Sequence, residues 1–305
     1  MNTHGRQRLF SGLGFTSLWI VGFALFTAYP VIASLAYSFC DYSVLKSPVW
    51  CGLDNYRELV RDELFWKSLQ NTLIYAALAV PLGTVVSLGL AVLLNQNVRG
   101  RTLFRTFFFL PAIVPVVASS MIWLWLFNGQ YGLLNWALTP VLDLFEVAPP
   151  GWLADPNWAK PALALMSVWG TGNAMIIYLA GLQQVPVELY EAAEIDGAGR
   201  WQRFRHITLP LLSPVICFNV IMSLIGALQV FTQAYIMSEA ANGNGNGSDG
   251  NPARSTLFYT IYLFSTAFYD LRMGYASAMA YVLAVITAGL SWAASLLSRH
   301  NTDSS

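Results

Sequence analysis

The sequence predicts an all-α polytopic membrane protein with six transmembrane helices, and three observations carry that prediction. Hydrophobic residues make up 56% of the 305 positions and charged residues only 10%, against about 25% charged in a soluble domain. Apolar stretches near the ~20 residues needed to cross a bilayer recur along the whole chain. Lipid offers the backbone no hydrogen-bond partners, so each stretch must close its bonds internally as a helix. Lys plus Arg equals Asp plus Glu, 16 of each, so charge gives no argument for nucleic acid, and none is expected as a partner.

The spans are expected at Leu13–Phe39, Thr72–Leu94, Thr106–Phe127, Ala162–Leu182, Leu211–Ile236 and Ala276–Leu297. The first extends past the roughly 7–15 apolar residues of a secretory signal, which reads as a retained anchor. In the outer loop that follows, Asp54 is placed to cap a helix, and Tyr56, Phe65 and Trp66 suit an interfacial belt. Cys40 and Cys51 are expected to stay unpaired, two cysteines being a weak disulfide signal. Pro81 and Gly83 can kink the second span, and Pro111 and Pro115 bracket a break in the third. The outer loop from Asn128 to Trp158 reads as an irregular cap with one short helix. Asn242 to Pro252, low in complexity and rich in glycine, reads as a flexible outer loop. An outer or interfacial helix is expected over Tyr259 to Tyr269.

Polar residues gather inside two spans. Ser167, Trp169, Gly170, Thr171, Gly172 and Asn173 fall together in the fourth, at a depth where polar groups are expensive and often functional. In the fifth, Asn219, Ser223 and Gly226 recur at helical spacing, with Gln229 and Gln233 completing one face. Amides satisfy hydroxyls as donors and as acceptors, and an aromatic such as Trp169 or Phe231 can stack on a sugar ring. The same amides would also serve to hold helices together.

Between these spans lies the one long polar interruption that keeps helix-forming residues, Pro186 to Pro214. Pro186 can open a helix, Val187–Ile195 continue it with acids in the first turns, and Gly197 stops it. A second short helix, about Trp201 to Ile207, is expected to run until Pro210 breaks it. The result is a compact elbow, with Ala192, Ala193 and Ala198 leaving room for another protein's surface.

Glu191-Ala192-Ala193, Asp196-Gly197-Ala198, Phe204, Ile207, Leu209 and Pro210 resemble the EAA loop of binding-protein-dependent ABC importer permeases, in the form EAAxxDGAxxxxxFxxIxLP of the carbohydrate branch. The bland reading is an ordinary amphipathic loop helix. The resemblance runs from about Gly52 to Leu297. It implies the type I ABC importer permease fold, with an N-terminal anchor and outer loop over 1–69, a permease domain over 70–297 whose coupling loop is 186–210, and a tail over 298–305.

By that resemblance Glu191, Ala192, Ala193, Asp196, Gly197, Ala198, Arg200, Phe204 and Pro210 meet a cytoplasmic ATPase. In maltose-type members the fourth and fifth spans contact the sugar, which points to Gly170, Asn173, Gly226, Gln229 and Gln233. The expected partners are a pair of ATPase subunits, a second and related permease subunit, an external solute-binding protein, a sugar or polyol, and membrane lipid. ATP and Mg would sit on the ATPase, with no cofactor in this chain. The loop that usually carries a Gly-Gly-Pro turn keeps only Pro252 and the later Ser255-Thr256 here, with an Asn-Gly repeat for the rest, which leaves the docking of the binding protein open.

Orientation follows from cation density. Arg6, Arg8, Arg99, Arg101, Arg105, Arg200, Arg203, Arg205 and Arg299 lie in short segments on one side; Lys46, Arg57, Arg61, Lys67, Lys160, Arg254 and Arg272 are spread through longer loops on the other. The N- and C-termini and the elbow are thus expected in the cytoplasm, in a cell inner membrane. No phosphate loop, HExxH pair or G-x-S-x-G elbow is present, so neither catalysis nor a metal is expected. An ion-coupled secondary transporter is the alternative. It usually carries intramembrane carboxylates, and no Asp or Glu lies within the expected spans.

Overall fold

A computed structural model describes residues 14, 16–96, 99–242 and 247–302. In chain order the elements are α1 (Thr16–Ser38), β1 (Cys40–Ser43), β2 (Lys46–Trp50), α2 (Asp54–Arg61), α3 (Glu63–Asn95), α4 (Arg101–Ile113) and α5 (Val116–Leu126). Then come α6 (Leu133–Leu144), α7 (Pro156–Trp169), α8 (Gly172–Leu182), α9 (Val187–Ile195), α10 (Arg200–Leu228), α11 (Thr232–Asn242), α12 (Tyr259–Phe268) and α13 (Met273–Thr302). Helices α1, α3, α10 and α13 are each long and apolar enough to cross a bilayer. Counted as one broken span each, the pairs α4–α5, bent by 99°, and α7–α8, bent by 52°, bring the candidate spans among the described residues from four to six. Val85 (68% exposed) and Phe107 (70%) face outward, which is tolerable only against lipid or another subunit.

The helices depart from expectation where local backbone chemistry overrides a residue rule. Pro210 does not end a helix. The turn before it, Phe204–Thr208, is a π turn in which the Leu209 N–H donates to the Phe204 carbonyl. That wider turn re-registers the ladder ahead of the proline ring, so α10 runs through it unbroken. The same device, at Ala24–Ala28, precedes Pro30 in α1. Asp54 is no cap: it is the first residue of α2 and pairs with Arg57 at 2.9 Å on the surface. The fifth span stops at Leu228, and the second begins at Glu63, well before Thr72. The break at Pro111 and Pro115 is present, and each of the two outer helices expected lies at its position.

The chain divides into two units. One comprises residues up to Asp62 with Leu263–Ala284; the other comprises Glu63–Tyr262 with the residues from Val285 onward. The first contains a small hairpin that an all-α reading did not anticipate. Cys40 pairs with Trp50 and Ser43 with Lys46, with an irregularity between Asp41 and Ser43. The buried Asn55 amide holds it by donating to the Ser38 and Cys40 carbonyls at 2.9 and 3.0 Å. A side chain at Gly274 would meet the Cys40 carbonyl at 2.1 Å, so only glycine lets the start of α13 lie there. Cys40 and Cys51 are free thiols, and burial pushes Cys51 above its ordinary pKa.

The second unit holds two hydrophobic clusters. One gathers Tyr75, Trp123, Phe127, Trp152, Leu163 and Phe258; the other gathers Ala91, Met175, Tyr178, Leu179 and Leu212. Gly172 lets α8 close on α4. A Cβ there would stand 2.7 Å from the Phe108 carbonyl, so α8 starts against bare α4 backbone.

Of the stretch expected as a flexible loop, Asn242 to Pro252, residues 243–246 lie outside the described residues, and the Asn251 N–H donates to Ser238 Oγ at 2.7 Å. The segment that follows Pro252 is pinned. Asn71 donates to the Arg254 and Leu257 carbonyls at 2.8 and 3.0 Å, and Lys160 donates to Ser255 O at 3.1 Å. Thr72 accepts from the Tyr259 N–H at 2.9 Å. Ser255 and Thr256 are buried in consequence.

Candidate functional site

A cavity of about 670 Å³ opens within the second unit, lined by α3, α7, α8, α10 and the start of α11. Along α3 its wall is Tyr75, Ala79, Gly83 and Ser87, a stripe of four-residue steps that keeps one helix face in register. Ala79 and Gly83 leave the space; Thr84 and Ser87 supply oxygen atoms. From α10 come Asn219, Ser223 and Gly226, again at helical spacing.

All five residues singled out for the solute line this cavity: Gly170, Asn173, Gly226, Gln229 and Gln233. Their route into it differs from expectation. Gln229 and Gln233 do not complete a face of the fifth helix, because the chain breaks between Leu228 and Thr232. The break turns Gln229, Phe231 and Gln233 into the same hollow. Trp169 is not in the lining: its ring packs edge-on against Trp123, 6.1 Å between centroids. Phe231 is, with its ring also packed against that of Tyr235, 5.4 Å between centroids.

The hydrogen bonds of the lining fall into two groups. Ser167, Ser87 and Asn219 donate to carbonyls of their own helices at 2.6, 2.6 and 2.9 Å, and Thr171, between α7 and α8, donates to Val168 O at 2.8 Å. Their oxygens keep lone pairs for an outside donor. The amides of Asn173, Gln229 and Gln233 have no hydrogen-bond partner among the described residues. They can donate and accept. None of the described lining residues is Asp, Glu, Lys, Arg or His. The hollow is therefore built for hydroxyls rather than for a charge. Residues of α3 were missed as solute candidates, although the step of four through Tyr75, Ala79, Gly83 and Ser87 was present to be read.

The elbow is formed largely as drawn. Helix α9 covers Val187–Ile195, and Gly197 follows at φ +77°. The Ala198 N–H donates to Ala193 O at 2.8 Å and the Gly197 N–H to Glu194 O at 3.0 Å, the two bonds of a Schellman stop. Gln202 accepts from the Gly199 N–H at 2.8 Å, which opens α10. Two side-chain contacts brace the arms. Arg203 donates to Glu194 at 3.0 Å, and the Tyr190 and Thr208 hydroxyls meet at 2.9 Å. Glu191, Ala192, Asp196, Gly197 and Arg200 are exposed; Ala193, Ala198, Phe204 and Pro210 are half-buried. Ile195 at 87% and Trp201 at 70% exposure add an apolar tip. Exposed apolar tips of this kind are the surface that protein–protein contacts commonly use.

Membrane-length helices around a neutral polar hollow, with an exposed helical elbow, fit a membrane translocation subunit. The chain belongs to the binding-protein-dependent transport system inner membrane component family, which it matches over residues 79–302. It is thus a permease subunit of an ABC importer rather than an ion-coupled secondary transporter. It is 42% identical to "Probable ABC transporter permease protein YesP" of Bacillus subtilis, over 92% of this chain and 88% of the relative. It is 37% identical to "Lactose transport system permease protein LacF" of Rhizobium radiobacter, over 88% of this chain and 87% of that one. Its fold is similar to that of a bacterial ABC transporter that imports alginate, with a TM-score of 0.76 at 24% identity, covering 96% of this chain and 99% of the other.

Proposed function

We propose that this chain carries a sugar or related neutral polyol through its central cavity, driven by a separate ATPase that grips the Glu191–Pro210 elbow. The observation that carries the solute class is the set of unpartnered amides, Asn173, Gln229 and Gln233, in a lining without charge. A sugar offers hydroxyls that both give and take hydrogen bonds, and apolar ring faces that Phe231 can meet. Gly170 and Gly226 provide room for it. The lactose permease among the relatives supports the same class.

The assembly would contain two ATPase subunits, a second permease subunit of related but distinct sequence, and an external solute-binding protein. ATP and Mg would belong to the ATPase. The N-terminus, C-terminus and elbow would face the cytoplasm. Ala192 and Ala193 would let the elbow lie close in a groove, Glu191 could pair with a base there, and Arg200 and Phe204 would flank it. ATP would draw two elbows together and tip the bundle from inward-open to outward-facing. Reversing a 1:99 preference to 99:1 needs about 5.5 kcal/mol of differential nucleotide binding.

The test is solute-stimulated ATPase activity of the assembled transporter with Asn173→Ala and Gln229→Ala. Losing one hydrogen bond to a neutral group costs about 0.5–1.5 kcal/mol, so half-maximal solute concentration should rise roughly three- to tenfold. Assembly should be unchanged. Unaltered solute dependence in both variants would return these amides to helix packing.

A further inference from the structure

We infer that a second cavity, on the membrane side of the elbow, is a binding site for a phosphate group. It measures about 420 Å³ and lies where the end of α3, the end of α8, α9 and the start of α10 meet. Its polar lining is Asn95, Gln96, Tyr190, Arg200, Arg203 and Thr208. Two guanidinium groups thus border one hollow, and no carboxylate is among its lining residues. Arg203 is partly satisfied by Glu194, which reaches its Nη1 from outside the hollow at 3.0 Å. The Arg200 side chain makes no hydrogen bond or ion pair among the described residues.

The imbalance defines the ligand. Two cations against one carboxylate leave a positive charge beside apolar walls from Leu182 and Phe204, which weaken its screening. Guanidinium donors match the oxygens of a phosphate in paired fashion, and the amides of Asn95 and Gln96 can donate to the remaining oxygens. The hydroxyls of Tyr190 and Thr208 already bond to each other at 2.9 Å, so they close the hollow rather than bind. If the elbow faces the cytoplasm, as proposed above, the phosphate can come from an inner-leaflet phospholipid headgroup or from a soluble phosphate. In both cases the ligand would brace the elbow against α3 by engaging both arginines. The site itself does not depend on the solute assigned to the central cavity.

The experiment uses the purified full chain in neutral detergent. Its melting temperature is followed during titration with inorganic phosphate, with chloride holding ionic strength constant. Phospholipids retained from the membrane are counted by native mass spectrometry. A saturable rise in melting temperature is expected, with apparent affinity falling about tenfold in Arg200→Gln. Glu194→Gln frees Arg203 and should tighten phosphate a few-fold, a gain that a purely structural brace would not give. Phosphatidylglycerol retained by wild type and lost from Arg200→Gln identifies a lipid source; a phosphate response without such retention identifies a soluble one. No saturable phosphate response, together with equal lipid retention in wild type and Arg200→Gln, overturns the proposal.

Discussion

At the scale of single residues, Gly226 offers the most direct probe of the cavity. Gly226 faces open space, with nothing within 4 Å of an added Cβ, and it borders the central cavity. Gly226→Ala should therefore keep or raise the melting temperature, since glycine costs a helix interior about 0.5–1 kcal/mol relative to alanine. Gly226→Leu fills the hollow, and uptake of labelled sugar should fall sharply while the protein still folds. Unchanged uptake in the leucine variant would place the solute path elsewhere. Side-chain chemistry made the amides readable: polar groups inside apolar spans are conspicuous. Trp169 was misread because an aromatic beside polar residues looks the same whether it faces a hollow or, as here, Trp123.

The elements show where local rules reach and where they stop. Helix α9 was legible to the residue because its start and stop signals, Pro186 and Gly197, flank it closely and its acids lie along it. Pro210 was misjudged because the π turn that accommodates it is set by the backbone of the preceding turn rather than by any residue type. The anchors of the segment just beyond the glycine-rich stretch, Asn71 and Lys160, could not be read locally because they are distant in sequence. At the elbow, Gly197 has free space around it and only its φ of +77° to defend. Gly197→Val should cost about 1–2 kcal/mol locally. Folding and solute capture by the external protein should survive while ATP-driven uptake is lost. Normal uptake in that variant would remove the Schellman stop from the coupling role.

For the molecule as a whole, composition alone revealed the membrane class, because a surface so poor in charge cannot face water. The six spans were visible as apolar runs. The bends of 99° and 52° that divide two of them were signalled by prolines and a polar break, but their size depends on packing between distant helices. The hairpin at Cys40–Trp50 had no strong local signal. The central claim is that force enters this bundle through the elbow. The most direct measurement is co-purification of the ATPase with the detergent-solubilised permease, for the wild type and for a variant with Glu191–Gly197 scrambled. The account predicts that the ATPase is retained by the wild type and lost from the variant, whose melting temperature changes little. Equal retention by both proteins would contradict it.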